Sequence, residues 1–212
     1  MSSSLKLRAR RKAERPAEIL DAAFEEFVLN GYAATRLEDV ATRAGVTKGT
    51  IYFYFDTKER VFEEMIRQKS SPMFAEFGHL AGTLEGRYAD RLRALLVFMY
   101  RRIAEDRVCR EIFRFLIAEG RRFPELTDRH DAEFVQPFIG QLRALLNAGI
   151  AAGEFRATPA LQFTEIIISP ALLLNIWWLL FDTRKQVDVG AFIDAHLDLL
   201  LNGLAAPPSR SV

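Results

Sequence analysis

One cysteine, Cys109, stands in 212 residues, so no disulfide can close within the chain and no cysteine-based zinc site can assemble. That usage fits a reducing compartment, and a cytoplasmic location is expected. Charge of one sign is also scarce. The 29 lysines and arginines against 28 acids leave +1, which by itself gives no reason to expect a nucleic acid or a membrane surface as partner. The longest apolar stretch, Ile166 to Phe181, is broken by Ser169, Pro170 and Asn175. It falls short of the about 20 residues a spanning helix needs, so it reads as a buried helix and no membrane partner is expected. His79, His130 and His196 lie far apart with no i, i+4 pairing, which leaves a metal site without support. No G-x-S-x-G, P-loop or dinucleotide fingerprint occurs, so nothing points to catalysis or to a cofactor. What is present is a composition of 50% hydrophobic and 27% charged residues, typical of a folded chain with room for one large domain or two small ones.

The near-zero charge is unevenly distributed. Residues 1–15 carry Lys6, Arg8, Arg10, Arg11, Lys12 and Arg15 against Glu14, a net of +5, while residues 16–70 sum to −3 and residues 71–212 to −1. The first 13 residues therefore read as a basic, flexible arm, either a solvated tail or a phosphate-contacting one. No apolar stretch follows the basic residues, so the segment does not read as an export signal. At the other end, residues 205–212 hold two prolines and no apolar period, and the fold is expected to end near Leu204.

Between these ends the apolar residues recur with helical period. Leu20, Phe24 and Phe27 mark a first helix with Pro16 near its start and Asn30-Gly31 as a left-handed stop. Thr35-Arg36-Leu37-Glu38 has capping-box spacing and opens a second helix ending at Gly45. Thr47 can cap a third, and Asp56 or Thr57 a fourth that Pro72 should kink or end. Further helices follow around Leu92–Ile103, Ile112–Ile117 and Phe134–Leu146. A long one opens at Thr158-Pro159, bends at Pro170 and ends near Phe181, and a last one spans Phe192–Leu204. The expected fold is all-α, with about nine helices: an arm (1–13), a three-helix helix-turn-helix unit (14–72), a larger helical unit (73–204) and a tail (205–212).

Two short helices joined by Gly45-Val46-Thr47 form a helix-turn-helix, in which the second helix enters the DNA major groove. The third helix carries Lys48-Gly49-Thr50-Ile51-Tyr52-Phe53-Tyr54-Phe55, four consecutive aromatics at steps of about 100°, which cannot all face one core. With Ile51 and Phe55 inward, Lys48, Thr50, Tyr52 and Tyr54 occupy other faces beside a glycine that permits close approach. Residues 50–55 also alternate like a strand, but caps and helical patterns flank them and no second strand is available to pair. The stretch from Gly31-Tyr32-Ala33-Ala34-Thr35 through Ala41, with Ala44 to Glu59, resembles the N-terminal signature of the TetR family of transcriptional regulators. That resemblance implies a DNA-binding unit, a larger regulatory unit of five or six helices, a homodimer and a small-molecule inducer. It assigns Thr35 and Thr47 to caps and phosphates, and Lys48, Gly49 and Thr50 to bases or backbone. Tyr52 and Tyr54 follow them into the groove, and Lys58 holds a phosphate. Arg36 stands where the family often has a second Thr, and Glu38 where it often has Arg. Glu38 either completes the capping box or accepts from a cytosine amine.

The larger unit is rich in aromatics, most of them core. Phe113, Phe134, Phe138 and Trp178 could line an apolar pocket in which Asn175 orients the ligand. Cys109 reads as a small buried hydrophobe. The last two helices carry more apolar surface than one protomer covers, so they are expected to form a two-fold, four-helix dimer interface. The expected function is a ligand-responsive repressor on a pseudo-palindromic double-stranded operator. The competing expectation is a helical ligand- or protein-binding module without DNA function.

Overall fold

A computed structural model describes residues 2–181 and 184–206, with side chains from residue 14 onward except at 160 and 161. The chain is all-α. Its elements are α1 (Ser2–Ala34), α2 (Leu37–Ala44), α3 (Lys48–Tyr54), α4 (Lys58–Thr83), α5 (Tyr88–Glu105), α6 (Arg107–Glu119), α7 (Pro124–His130), α8 (Gln136–Ala151), α9 (Glu165–Phe181) and α10 (Val189–Leu204). A π-helical segment, Asp131–Val135, joins α7 to α8 without leaving helical backbone angles, so these three form one rod and the described residues make nine rods in all. The only sheet-like pairing among the described residues is an isolated antiparallel bridge between Phe155 and Ala205.

Two apolar clusters organise the molecule. The first gathers Ile19, Phe24 and Phe27 of α1, Val40 of α2, Ile51 of α3, and Val61, Phe62 and Met65 of α4. It also draws in Ile112 and Phe115 of α6 and Leu126 of α7, so the three N-terminal helices do not close their core alone. The second joins Phe77 of α4 to α5, α8, α9 and α10 through residues such as Leu95, Tyr100, Leu142, Leu174 and Leu197. Helix α4 belongs to both clusters. Of the kink or end expected at Pro72, the end is corrected: α4 continues past it to Thr83. A proline removes one backbone hydrogen bond, but the packing of Met65 and Ile66 before it and Phe77 after it outweighs that loss.

Other boundaries also move. Backbone helix extends from Pro16 back to Ser2, while the side chains of the basic arm, Lys6, Arg8, Arg10, Arg11 and Lys12, lie outside the described residues. The long apolar helix begins at Glu165 and not at Pro159, where a 3₁₀ turn (Pro159–Gln162) comes first. A break follows at Thr164, whose buried side chain accepts from Arg143 Nε at 3.5 Å. Residues 205 and 206 are pinned rather than loose, since Arg156 N–H donates to Leu204 O (2.8 Å) and Ala206 N–H to Glu154 O (3.1 Å). The remainder of the expected tail, 207–212, lies outside the described residues.

Candidate nucleic-acid interface

The approach to the interface is set by the turn between α1 and α2. Gly31 has φ +74°, a left-handed conformation that reverses the chain after Asn30. That turn swings Thr35 back onto α1, where its hydroxyl donates to Gly31 O (2.7 Å) and to Glu26 O (3.0 Å). Thr35 is buried and caps nothing; the residue at the N-cap of α2 is Arg36, with no side-chain cap. The capping box is thereby corrected. Thr35 also leaves the set of phosphate ligands, because it is buried and its one hydroxyl proton is shared between the Gly31 and Glu26 carbonyls. Glu26, itself buried, receives Arg43 Nε (2.6 Å) and Asn30 Nδ2 (3.0 Å), tying α2 to α1.

Helix α2 ends where Gly45 adopts φ +64°, with Val46 N–H returning to Ala41 O at 2.9 Å. The next helix then starts as expected: Thr47 Oγ1 accepts from Thr50 N–H at 3.2 Å. Ile51 and Phe55 are buried, which fixes the rotation of α3. Lys48, Gly49 and Tyr52 face solvent on its outer side, and Phe53, which sequence reasoning did not single out, is 70% exposed. Tyr54 is half-buried against the first cluster, with its ring 5.0 Å from that of Phe53. The expected outward placement therefore holds for Tyr52 and is corrected for Tyr54, which packs partly inward while Phe53 takes the exposed face.

Glu38 lies opposite Lys48. Its Oε1 is 2.5 Å from Lys48 Nζ, and both side chains are solvent-exposed. The shared hydrogen bond holds the Glu38 carboxyl below its ordinary range and lifts the Lys48 ammonium above its own. Lys48 also sits 5.5 Å from the Tyr52 ring. Lys58, at the start of α4 after the Thr57 cap, donates to Ala33 O (3.2 Å) and lies 4.6 Å over the Tyr32 ring. Desolvation there holds its ammonium below the ordinary range. Arg36 is exposed at the head of α2. The outer surface of the helix-turn-helix thus presents Arg36, Thr47, Lys48, Gly49, Thr50 and Tyr52, with Lys58 beside it.

Behind this surface, Tyr32 joins the headpiece to the rest. Its ring is 4.9 Å from Phe62 and 4.8 Å from Phe123, which precedes α7, and the Arg122 guanidinium lies 4.9 Å above it. Its hydroxyl donates to Glu59 at 2.8 Å. Burial, followed by that hydrogen bond, pushes the hydroxyl well above its usual range. A buried tyrosine is common in cores, and nothing in the sequence marked this one as a junction.

The expected pocket residues separate. Phe134 and Phe138, one turn apart, line a groove of about 250 Å³ with Phe74, whose ring is 5.2 Å from Phe134 and 5.9 Å from Phe138. Phe113, Asn175 and Trp178 line none of the described cavities. Asn175 is buried with Oδ1 unpartnered, and Trp178 packs against the second cluster. Ser70 Oγ lies 3.1 Å from His130 Nε2, and Tyr100 OH 2.8 Å from His196 Nδ1. Cys109 is half-buried, and burial with the nearby Asp106 carboxylate pushes its thiol up to about 12. A thiol so reluctant to ionise is a poor redox sensor. Among the described residues no group of histidine, cysteine and acid side chains could hold a metal, and no helix is long and apolar enough to cross a membrane.

The sequence model of the bacterial regulatory proteins of the tetR family matches residues 19–65, the segment that builds this interface. A second, for the C-terminal domain of AefR-like transcriptional repressors, matches residues 90–177. The chain belongs to the TetR family of transcriptional regulators. The HTH-type transcriptional repressor KstR2 of Rhodococcus jostii (strain RHA1) is 27% identical to this TetR-family chain over 201 residues, covering 92% of it and 94% of the repressor. The solved structure of the regulator FadR from Bacillus subtilis in complex with stearoyl-CoA superposes with TM-score 0.73 at 22% identity, covering 89% of this chain and 98% of FadR. A TetR/AcrR-family regulator from Thermobifida fusca YX-ER1 superposes with TM-score 0.69 at 27% identity, over 90% of this chain and 98% of the other.

Proposed function

We propose that this regulator is a repressor that binds a pseudo-palindromic DNA operator as a homodimer and is released by a small, mostly apolar effector. The observation that carries the reading is α3, a helix capped by Thr47 that buries Ile51 and holds Lys48, Gly49, Thr50 and Tyr52 outward. An exposed short helix of this kind fits a major groove, with Lys48, Gly49 and Thr50 at bases or backbone and Tyr52 behind them. Arg36, Thr47 and Lys58 serve the phosphates.

The dimer reading rests on α9 and α10, where Leu173, Leu180 and Leu199 are exposed by 56%, 61% and 75%. Apolar surface of this extent on adjacent helices is what a two-fold, four-helix interface would cover. It would place two copies of α3 on one DNA face, about 34 Å apart or further. The effector reading rests on the Phe74, Phe134 and Phe138 groove beside α4, the helix that starts at Lys58. That FadR was solved with stearoyl-CoA supports an effector with an apolar portion. A binding protein of this kind needs no catalytic residue, and the function would be exercised in the cytoplasm.

The test is binding to DNA from the gene's own upstream region, followed by fluorescence anisotropy as salt is raised. Steeply salt-dependent binding that Tyr52→Ala abolishes is expected. If no DNA is bound even at low salt, the chain is a binding module of another kind.

A further inference from the structure

The groove of Phe134 and Phe138 has a neighbour along α4. A second groove, of about 370 Å³, lies between α4, α5 and α8, and Gln141 lines both. Its walls include the small residues Gly82, Ala144 and Ala148, and Gly78, against which the Gln141 amide packs. Its polar group is Arg91, near the start of α5. Among the described residues Arg91 forms no ion pair, and its Nε is buried without a hydrogen-bond partner. Its guanidinium lies over the Tyr88 ring, 5.0 Å from the centroid. Glu154 accepts from Ala89 N–H at 3.2 Å and lies 3.9 Å from Arg87 Nε, so its charge serves the α5 terminus and another arginine.

A guanidinium with a buried, unsatisfied N–H is costly, and an oxyanion is the partner whose planar geometry matches it. From Phe74 to Ala81, seven residues of α4 span about 10 Å at the helical rise, so the aromatic section and the cationic end lie within reach of one short chain. We propose that the seam between α4 and α8 holds one anionic amphiphile, its carboxylate or phosphate head on Arg91 and its apolar tail crossing Gln141 to Phe134 and Phe138. This sharpens the effector class proposed above. It rests on that reading only for the consequence that the ligand releases DNA; binding itself does not depend on it.

Isothermal titration of the full-length protein, without DNA, tests the site with octanoate, octyl phosphate, octanol and inorganic phosphate. Both octyl anions should bind, with the tighter of the two identifying the head. Octanol should bind at least about tenfold more weakly, since it lacks the charge-assisted contact. Inorganic phosphate, which lacks the tail, should bind still more weakly. Arg91→Met should cost octanoate about tenfold or more with the melting temperature unlowered, since it removes a buried unsatisfied N–H, and Ala144→Trp, on an exposed wall, should close the seam. Equal binding of octanol and octanoate, full octanoate affinity in Arg91→Met, or no binding of either octyl anion would overturn the assignment. DNA release is measured separately, so loss of regulation with octanoate binding intact indicts the regulatory reading and leaves the site standing.

Discussion

If Lys48 contacts DNA as proposed, its ion pair with Glu38 should make binding weaker than the residues of α3 alone would allow. With Nζ 2.5 Å from Oε1 and both side chains exposed by about half, at 45% and 57%, the pair presents no net charge where a phosphate would approach. Glu38→Gln keeps the shape and removes the competitor. Freeing one cation for a phosphate steepens the dependence of log affinity on log salt by about 0.9, which between 50 and 200 mM salt amounts to roughly a threefold change per contact. Anisotropy titrations on operator and unrelated duplexes at several salt concentrations should show tighter low-salt binding on both and the steeper slope. The melting temperature should not change, because both groups are solvated in either variant. Lys48→Met in the Glu38→Gln background should return the slope to its starting value. An unchanged slope in Glu38→Gln, with loss of affinity confined to one operator base pair, would refute this reasoning and assign Glu38 to a cytosine amine instead.

Thr35→Val should cost about 1–3 kcal/mol in urea unfolding, because the carbonyls of Glu26 and Gly31 lose a buried donor, and DNA affinity should fall only through the displaced turn. Burial holds the His130 imidazole below its ordinary pKa of 6.5, so the folded form stays neutral where the unfolded one takes up a proton. Stability should then decline as pH falls below about 6.5, and His130→Gln should flatten the melting temperature between pH 7 and 5. The parent chain should sediment as a dimer and a Leu173→Arg, Leu180→Arg double variant as a monomer that binds a full operator far more weakly.

Local signals served well where the determinants were themselves local. Gly45 and Thr47 stop one helix and start the next through contacts within five residues, and the burial of Ile51 and Phe55 follows from one turn of helix. The Thr35–Glu38 spacing failed because two nonlocal partners intervened. The left-handed Gly31 turned Thr35 onto α1, and Lys48, ten residues away, took Glu38. Pro72 was a correct local warning overridden by the apolar contacts of α4 on both sides. In the pocket, Phe134 and Phe138 are joined by an i, i+4 relation and were legible together, whereas Phe113, Asn175 and Trp178 sit on other rods whose placement depends on packing. Arg91 carried no signal at all, because an unpaired cation is visible only once its neighbours are in place.

The uninterrupted course of α4 gives the molecule a gear ratio. Sixteen residues separate Phe74, at the groove, from Lys58, at the end beside the helix-turn-helix, a shaft of about 24 Å. Pivoted at the groove, a tilt of about 5° would move the far end by about 2 Å, and in the proposed dimer a two-fold partner moving in the opposite sense would double the change in spacing between the α3 helices. Pro72 lies just on the shaft side of that pivot and leaves the Gln68 carbonyl without its helical donor, so bending is easiest at the fulcrum while the segment from Lys58 to Gln68 stays stiff. A ligand need displace the groove wall by only a fraction of an ångström for the displacement at the operator to exceed the tolerance of a hydrogen bond.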